Sequence, residues 1–248
     1  MSEHSTVTLR LASTVMILRQ VEAGMEVLLL RRNAQLAFAG GAWVFPGGAV
    51  DQADAEGGDQ GFGDEEFSAR TAAVRECQEE CGLTLQPEQL VHFAHWTTPE
   101  DQKRRFATWF FVAAVPEQQS EVVIDDGEIH QFQWLSPAHA LARHRDGELS
   151  MMPPTYMSLK LLQGFSSAAE ALEGLRDSEA FSVTPRVARE GETFVLLYPG
   201  DAGYELCDGN LSGPRHRCVI GDQGTDYIHS GDDVGVAAMD RVEKASQA

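Results

Sequence analysis

The chain has 248 residues, 43% hydrophobic and 23% charged, which is enough apolar mass for one large domain or one domain with a sizeable extension. With 19 basic against 38 acidic residues the formal net charge is -19. That excludes the positive surface needed to grip nucleic acid or an anionic membrane and suits a protein that reaches anionic small molecules through divalent cations. Four cysteines do not make a disulfide framework at this length. The N-terminal MSEHSTVTLRLAS lacks the secretory pattern, no apolar run is long enough to span a bilayer, and the C-terminal SQA is not a peroxisomal address. A cytoplasmic protein is expected.

In chain order, Thr6 to Leu18 reads as a strand, and a turn at Glu22 to Gly24 leads into a second, MEVLLLRR, so the two predict a hairpin. AFAGGAWVFPGGAVD ends a short apolar strand on Pro-Gly-Gly. Residues 51–63 are acidic, Gly-rich and aperiodic, the composition of a surface loop. A helix is predicted from Asp64 or Glu65 to Cys81, with acidic residues in its first turn and Gly82 as its stop. LVHFAHW, RFATWFFVAAV and IHQFQWL read as three further strands, and SPAHALARHR as a helix that Ser-Pro opens. Beyond Ser150 come two short helices, MMPPTYMSLKLLQGF and SSAAEALEGLRDS, then the strands TFVLLYPGDAGYEL and RHRCVIGD. The expected organisation is a main domain over residues 6–149 and an extension over 150–248, packed on that domain or on a second subunit.

The helix AVRECQEECG carries Glu76, Glu79 and Glu80 at i, i+3 and i+4. At about 100° per residue the three carboxylates share an arc of about 100°. Like charges at that spacing cost an isolated helix a few tenths of a kcal/mol per pair. A solvated acidic face is one reading. Two features favour another. Cys77, Cys81 and Val74 make the adjoining face apolar, and Arg75 falls beside Glu79, where it can orient that carboxylate. Hard oxygen ligands converging from a rigid helix suit Mg²⁺ or Mn²⁺, and such an ion removes the repulsion.

RECQEECGL, Arg75 to Leu83, resembles the second half of the Nudix box, G-x5-E-x7-R-E-U-x-E-E-x-G-U with U apolar, and FPGG at Phe45 to Gly48 resembles its glycine start. The resemblance implies an α/β fold: a Nudix α/β/α sandwich with a mixed sheet, here followed by a helical and small β extension. One spacing departs from the pattern. Gly48 to Arg75 spans 27 positions instead of 14, so the loop holds 13 extra residues. Asp54, Glu65 and Glu66 are all candidates for the first acidic position of the box.

What the resemblance implies chemically is hydrolysis of a phosphoanhydride, with metal ions neutralising charge on the transferred group. Glu76, Glu79 and Glu80 would hold Mg²⁺ or Mn²⁺ with the Gly47 carbonyl, and Arg75 would orient Glu79. Glu79 and Glu128, the latter on the loop before a Trp-bearing strand, are both candidates for the general base. The partner implied is a small nucleotide conjugate. Homodimers are common in the family, and nothing in the sequence fixes their surface.

For the substrate, LLLRRNAQLAFAGGAWVFPGG matches the coenzyme A motif of the family at Leu28, Leu29, Arg32, Gly41 and Phe45 to Gly48. It departs at Leu30, Asn33 and Ala37, where the motif has Thr, Ser or Ala, and Arg. The long loop, WTTPEDQKRRFATWFF and PPTYMSLKLL resemble the long-insert branch that includes acyl-CoA diphosphatases. In QKRRF, Arg104 and Arg105 can grip phosphate while Phe106 or Trp109 faces an adenine; Arg32 and Phe45 complete the candidate substrate contacts. The bland alternative is that these arginines balance nearby acids. Other substrates stay open: a nucleotide sugar, a dinucleotide or a damaged nucleotide, or a ligand bound by a non-catalytic Nudix-fold module. Cys77, Cys81, His92 and His95 form C-x3-C-x10-H-x2-H, but strand alternation is expected to send the two histidines to opposite faces, against a zinc site.

Overall fold

The computed structural model describes residues 8–36, 39–56, 64–124, 126–221 and 224–230. Its elements are β1 (Leu9–Val21), β2 (Gly24–Arg32), β3 (Trp43–Val44), β4 (Gly47–Ala49), α1 (Asp64–Cys81), β5 (Val91–Thr97), β6 (Arg105–Ala114), β7 (Ile129–Leu135), α2 (Pro137–Arg145), α3 (Pro153–Leu162), α4 (Ala168–Asp177), β8 (Phe181–Val183), β9 (Arg186–Glu190), β10 (Thr193–Leu197), β11 (Arg215–Gly221) and β12 (Gly224–Ser230). Ala37, where the coenzyme A motif departs, lies outside the described residues, as do 57–63 of the inserted loop.

The first sheet runs β3-β2-β1-β6-β5-β8, with β4 also on β1 and β7 on β2. It is mixed: β1 is antiparallel to β2 and parallel to β6. Alternation along β1 sorts its side chains between two cores. Val15 and Ile17 join Leu28, Leu30, Phe111 and the α1 residues Ala69, Ala73, Cys77 and Cys81. Met16 and Leu18 point the other way, to Val27, Leu29 and Phe110 and to Ala140, Leu159 and Ala171 from α2, α3 and α4. One strand with apolar residues on both faces therefore needs a helical layer on each side. That is the α/β/α sandwich, with Cys77 and Cys81 as core residues.

The predicted helices hold. Gly82 ends α1 with φ +71°, and Ser136 caps α2 by accepting from the His139 N–H. The described residues after 150 share sheet and core with those before them. β8 pairs in parallel with β5, and Tyr198 and Cys218 lie in the core beneath α2 to α4. β9 to β12 form a second, four-stranded sheet. It is tied back by His144 of α2, whose Nδ1 faces the Leu149 carbonyl at 2.6 Å while its Nε2 accepts from the Thr225 N–H at 3.1 Å. Inside the second sheet, fully buried Arg217 and Asp201 pair through Nε–Oδ2 at 2.7 Å and Nη2–Oδ1 at 2.6 Å. A buried pair needs this two-point geometry to offset its desolvation.

Candidate active site

α1 runs across one face of the first sheet, with its last turns beside the glycines of β4. Gly47 N–H donates to Glu80 Oε2 at 2.9 Å. Gly48 lies so close to Glu76 that a Cβ there would sit 2.3 Å from its Oε1. Gly47 itself is closed in from the other side, where a Cβ would meet the Ser13 carbonyl at 2.3 Å. The two glycines let the β1–β4 ladder and the helix approach closely enough to bring backbone and carboxylates together.

Arg75 organises the strip. Its Nη1 donates to Glu76 Oε1 at 2.9 Å and to Glu79 Oε2 at 3.1 Å, and its Nη2 to the Ala49 carbonyl at 3.1 Å. Nε and Nη2 also form a two-point pair with Asp54 at 3.0 Å each. Asp54 is buried and in turn accepts from the Asp51 N–H at 2.8 Å. Among the three candidates for the first acidic position, Asp54 is the one on Arg75. Glu65 accepts from Trp109 Nε1 at 3.1 Å, and Glu66 pairs with Arg70 at 2.6 Å. The 13 extra residues therefore follow Asp54, whose distance of six positions from Gly48 was the available signal.

Burial pushes the Glu80 carboxyl up to about 8, with repulsion from Glu76 adding to it and the Gly47 N–H and Arg32 opposing. Burial likewise pushes Glu76 up, against the pull of Arg75 and with repulsion from Glu79 and Glu128. Asp54 and then Glu76 hold the Arg75 guanidinium more firmly charged. Two carboxylates are thus kept in poorly solvated positions against a glycine cradle that has no room for a side chain. An all-oxygen donor set with more carboxylates than Arg75 alone can neutralise fits a hard divalent cation. Arg75 engages Glu76 and Glu79 while the Gly47 N–H engages Glu80, and among the described residues no three such side chains form a ready-made metal-ligating group.

Arg32, at the end of β2, pairs with Glu128 at 3.2 Å. Its charge is felt at Glu80 and that of Glu128 at Glu76, so this pair belongs to the same neighbourhood. The other predicted substrate contacts lie elsewhere. Phe45 is 3% exposed within the core; contrary to expectation it supports the strand beneath the glycines and offers no face to a ligand. Trp109 meets Glu65, which precedes Glu76 by 11 residues, about 16 Å along the helix. Arg105 donates to the Thr98 carbonyl at 3.2 Å, and Arg104 is exposed.

His92 and His95 correct an expectation. A register shift between His92 and Ala94 breaks the alternation of β5, and both imidazoles face Trp109, with centroids at 4.5 and 5.5 Å. A bulge adds one residue and so returns an odd offset to the same face. The zinc reading gains nothing from it. Cys77 packs on Cys81 at 3.7 Å within the core, and among the described residues no three Cys, His, Asp or Glu side chains form a metal-ligating group.

Fold and site define the class. A NUDIX domain matches residues 9–153, more than half of the chain, and the chain belongs to the NUDIX family. Among particular relatives it is 26% identical over 185 residues to "Putative nudix hydrolase 7" of Caenorhabditis elegans, covering 60% of each chain. It is 30% identical over 127 residues to acyl-coenzyme A diphosphatase NUDT19 of Gallus gallus, covering 46% of this chain and 32% of that one. The human NUDT19 protein gives 30% over 125 residues with the same coverage. The chain thus spans 32% to 60% of these relatives' lengths. A NUDIX hydrolase structure from Alicyclobacillus acidocaldarius shares the fold, with a TM-score of 0.60 at 24% identity over 68% of this chain and 97% of that one.

Proposed function

We propose that the protein hydrolyses the diphosphate bond of a nucleoside diphosphate conjugate of the coenzyme A kind. The observation that carries this is the seating of a buried carboxylate, Glu80, and a half-buried one, Glu76, against Gly47 and Gly48, with Arg75 bracing Glu76 and Glu79. The coenzyme A choice rests on the partial motif around Arg32 and on the likeness to the acyl-coenzyme A diphosphatases.

In this reading Glu76, Glu79 and Glu80 would hold Mg²⁺ or Mn²⁺ with the Gly47 carbonyl. When bound, the cation supplies positive charge against that which builds on the phosphoryl oxygens. Arg75 sets the orientation of Glu76 and Glu79 through one nitrogen. Arg32 grips a substrate phosphate. Glu128 accepts a proton from the attacking water, with Glu79 as the other candidate for that role. Trp109 is kept for a distal part of the substrate, given the place of its partner Glu65 in the first turn of α1, and Arg104 and Arg105, close to it in sequence, are kept with it.

The test is a mass-spectrometric product screen with Mg²⁺ and Mn²⁺ over CoA, acyl-CoAs, NADH, ADP-ribose, a dinucleoside polyphosphate and nucleoside triphosphates. Release of 3′,5′-ADP and a phosphopantetheine, lost in Glu79→Gln, is the expected result. Cleavage of another substrate instead replaces the coenzyme A assignment. Binding without cleavage under either metal favours a ligand-binding module.

A further inference from the structure

The end of β2 and the loop before β7 are joined in a way that the proposed chemistry has not used. Arg32 faces Ile129 across the ladder, whereas Arg31 faces Gln131, so β7 carries a bulge at this point. The extra residue is His130, on β7; on β2 the two arginines take opposite faces by ordinary alternation, so that Arg31 is exposed and the Arg32 side chain is only 19% exposed. Two further bonds fix the loop without help from charge. Asn33 N–H donates to the Glu128 carbonyl at 2.7 Å and Asn33 Nδ2 to the Gly127 carbonyl at 3.2 Å. The backbone of Glu128 is therefore anchored whether or not its side chain stays on Arg32.

The ion pair itself is slight. One nitrogen of Arg32 reaches one oxygen of Glu128, which is 60% exposed, at 3.2 Å. Such single-point, half-solvated pairs are weak. A diphosphate offers a guanidinium two oxygens and more charge, the geometry in which arginine binds most strongly. In competition for Arg32 the diphosphate wins. Both partners also stand at the rim of the acidic strip, since Arg32 acts electrostatically on Glu80 and Glu128 on Glu76.

We propose that Arg32 and Glu128 form a phosphate-operated latch: the diphosphate takes Arg32, and the released Glu128 carboxylate turns to the water that attacks phosphorus. This rests on the diphosphatase reading above. Glu128 is restrained until an anionic group is seated, so base and substrate are coupled through one arginine.

The experiment is a double-mutant cycle on binding, read by calorimetry with adenosine 5′-(α,β-methylene)diphosphate and Mg²⁺, a diphosphate analogue that cannot be cleaved at the bridge. Arg32→Ala is expected to weaken binding by about 10- to 100-fold, the range for losing bonds to a charged group. Glu128→Gln is expected to tighten it by about 2- to 5-fold, because the competitor for Arg32 is gone. In the Arg32→Ala background the same Glu128→Gln change is expected to do nothing. Arg32→Lys keeps the charge without the fork and should retain part of the Glu128 effect. Additive changes, with Glu128→Gln tightening equally in both backgrounds, mean simple repulsion and overturn the latch while leaving the diphosphatase reading intact. Failure of the unmodified protein to bind the analogue overturns that reading, and the latch with it.

Discussion

Arg75 and Asp54, 21 residues apart, meet at two points of 3.0 Å each, Nε to Oδ1 and Nη2 to Oδ2. The same guanidinium then reaches Glu76 and Glu79. Asp54 thus fixes from behind the residue that aligns two carboxylates in front. Removing a buried partner leaves an uncompensated charge, which costs about 3–5 kcal/mol for a fully buried pair and less here because Arg75 is 28% exposed. Asp54→Ala is expected to lower stability by about 2 kcal/mol in urea unfolding and to cut turnover of the cleaved substrate by about 10- to 100-fold. Asp54→Asn keeps the shape and one acceptor and should fall between. A variant with full activity would mean that Glu76 and Glu79 hold Arg75 in place by themselves.

Gly48→Ala separates site from fold. Gly48 is not among the positive-φ glycines, so its backbone accepts a side chain. The added Cβ would lie 2.3 Å from Glu76 Oε1 and 2.5 Å from its Cδ, and the carboxylate must move. The expected result is a loss of Mn²⁺ affinity of about 10-fold or more, measured by electron paramagnetic resonance, with an unfolding midpoint close to that of the unmodified protein. Gly47→Ala meets backbone at 2.3 Å with φ +156° and should instead destabilise the β1–β4 ladder. If Gly48→Ala binds Mn²⁺ normally, Glu76 is not among the ligands.

Glu80 gives a pH dependence with a definite sign. Its folded carboxyl is pushed up to about 8 from an ordinary value of 4.5, chiefly by burial. Between those values the folded state holds a proton that the unfolded chain releases. The stabilisation is complete below the ordinary value and is lost as pH rises through about 8. In EDTA the melting temperature should therefore fall from about pH 5 to about pH 8 and level off above it, and Glu80→Gln should flatten that fall. Excess Mg²⁺ should reverse it, because a cation favours the ionised form, and Mg²⁺ should bind more weakly at about pH 6 than at about pH 8.5. His92 and His95, both pushed down by burial, work in the opposite sense and Glu76, pushed up by burial, in the same sense, so the difference between the unmodified protein and Glu80→Gln isolates Glu80. A flat profile in EDTA for the unmodified protein would contradict the buried position of Glu80.

Much of the site was legible because its signals are local. Glu76, Glu79 and Glu80 share a face by helical geometry alone, and Gly82 marks the stop of α1. Asp54 was one of three candidates, and only the fold brings it to Arg75, since that contact crosses an inserted loop. Bulges were invisible: the shift after His92 overturned the two-residue period of β5, and the one opposite Arg32 set the approach of Glu128. Phe45 looked like a ligand contact because it sits in a motif, and burial makes it core. In the last third, β8 has three residues and β9 reads RVARE. β8 alternates but is too short to announce itself, and its partner β5 is far away in sequence; β9 lacks the apolar alternation of a strand and is fixed by the hairpin it makes with β10.

The last third also predicts a dependence that the family match does not suggest. The NUDIX domain ends at residue 153, yet the core beneath α2 to α4 is closed from beyond it. Phe181 lies 6.4 Å from Phe93 and 6.3 Å from Trp96, and Tyr198 lies 5.9 Å from Trp96, all by ring centroid. Tyr198 is fully buried and donates to Cys218 Sγ at 3.0 Å. Ending the chain after Asp177 would uncover these aromatics and leave β5 as an open edge. That product is expected to bind the dye ANS and to lose its cooperative melt, as a collapsed state without fixed packing does. Tyr198→Ala, within the whole chain, should cost about 3–5 kcal/mol, the range for emptying a buried aromatic site. A shortened chain that melts cooperatively at the temperature of the whole protein would show that residues after 177 only decorate a self-sufficient core.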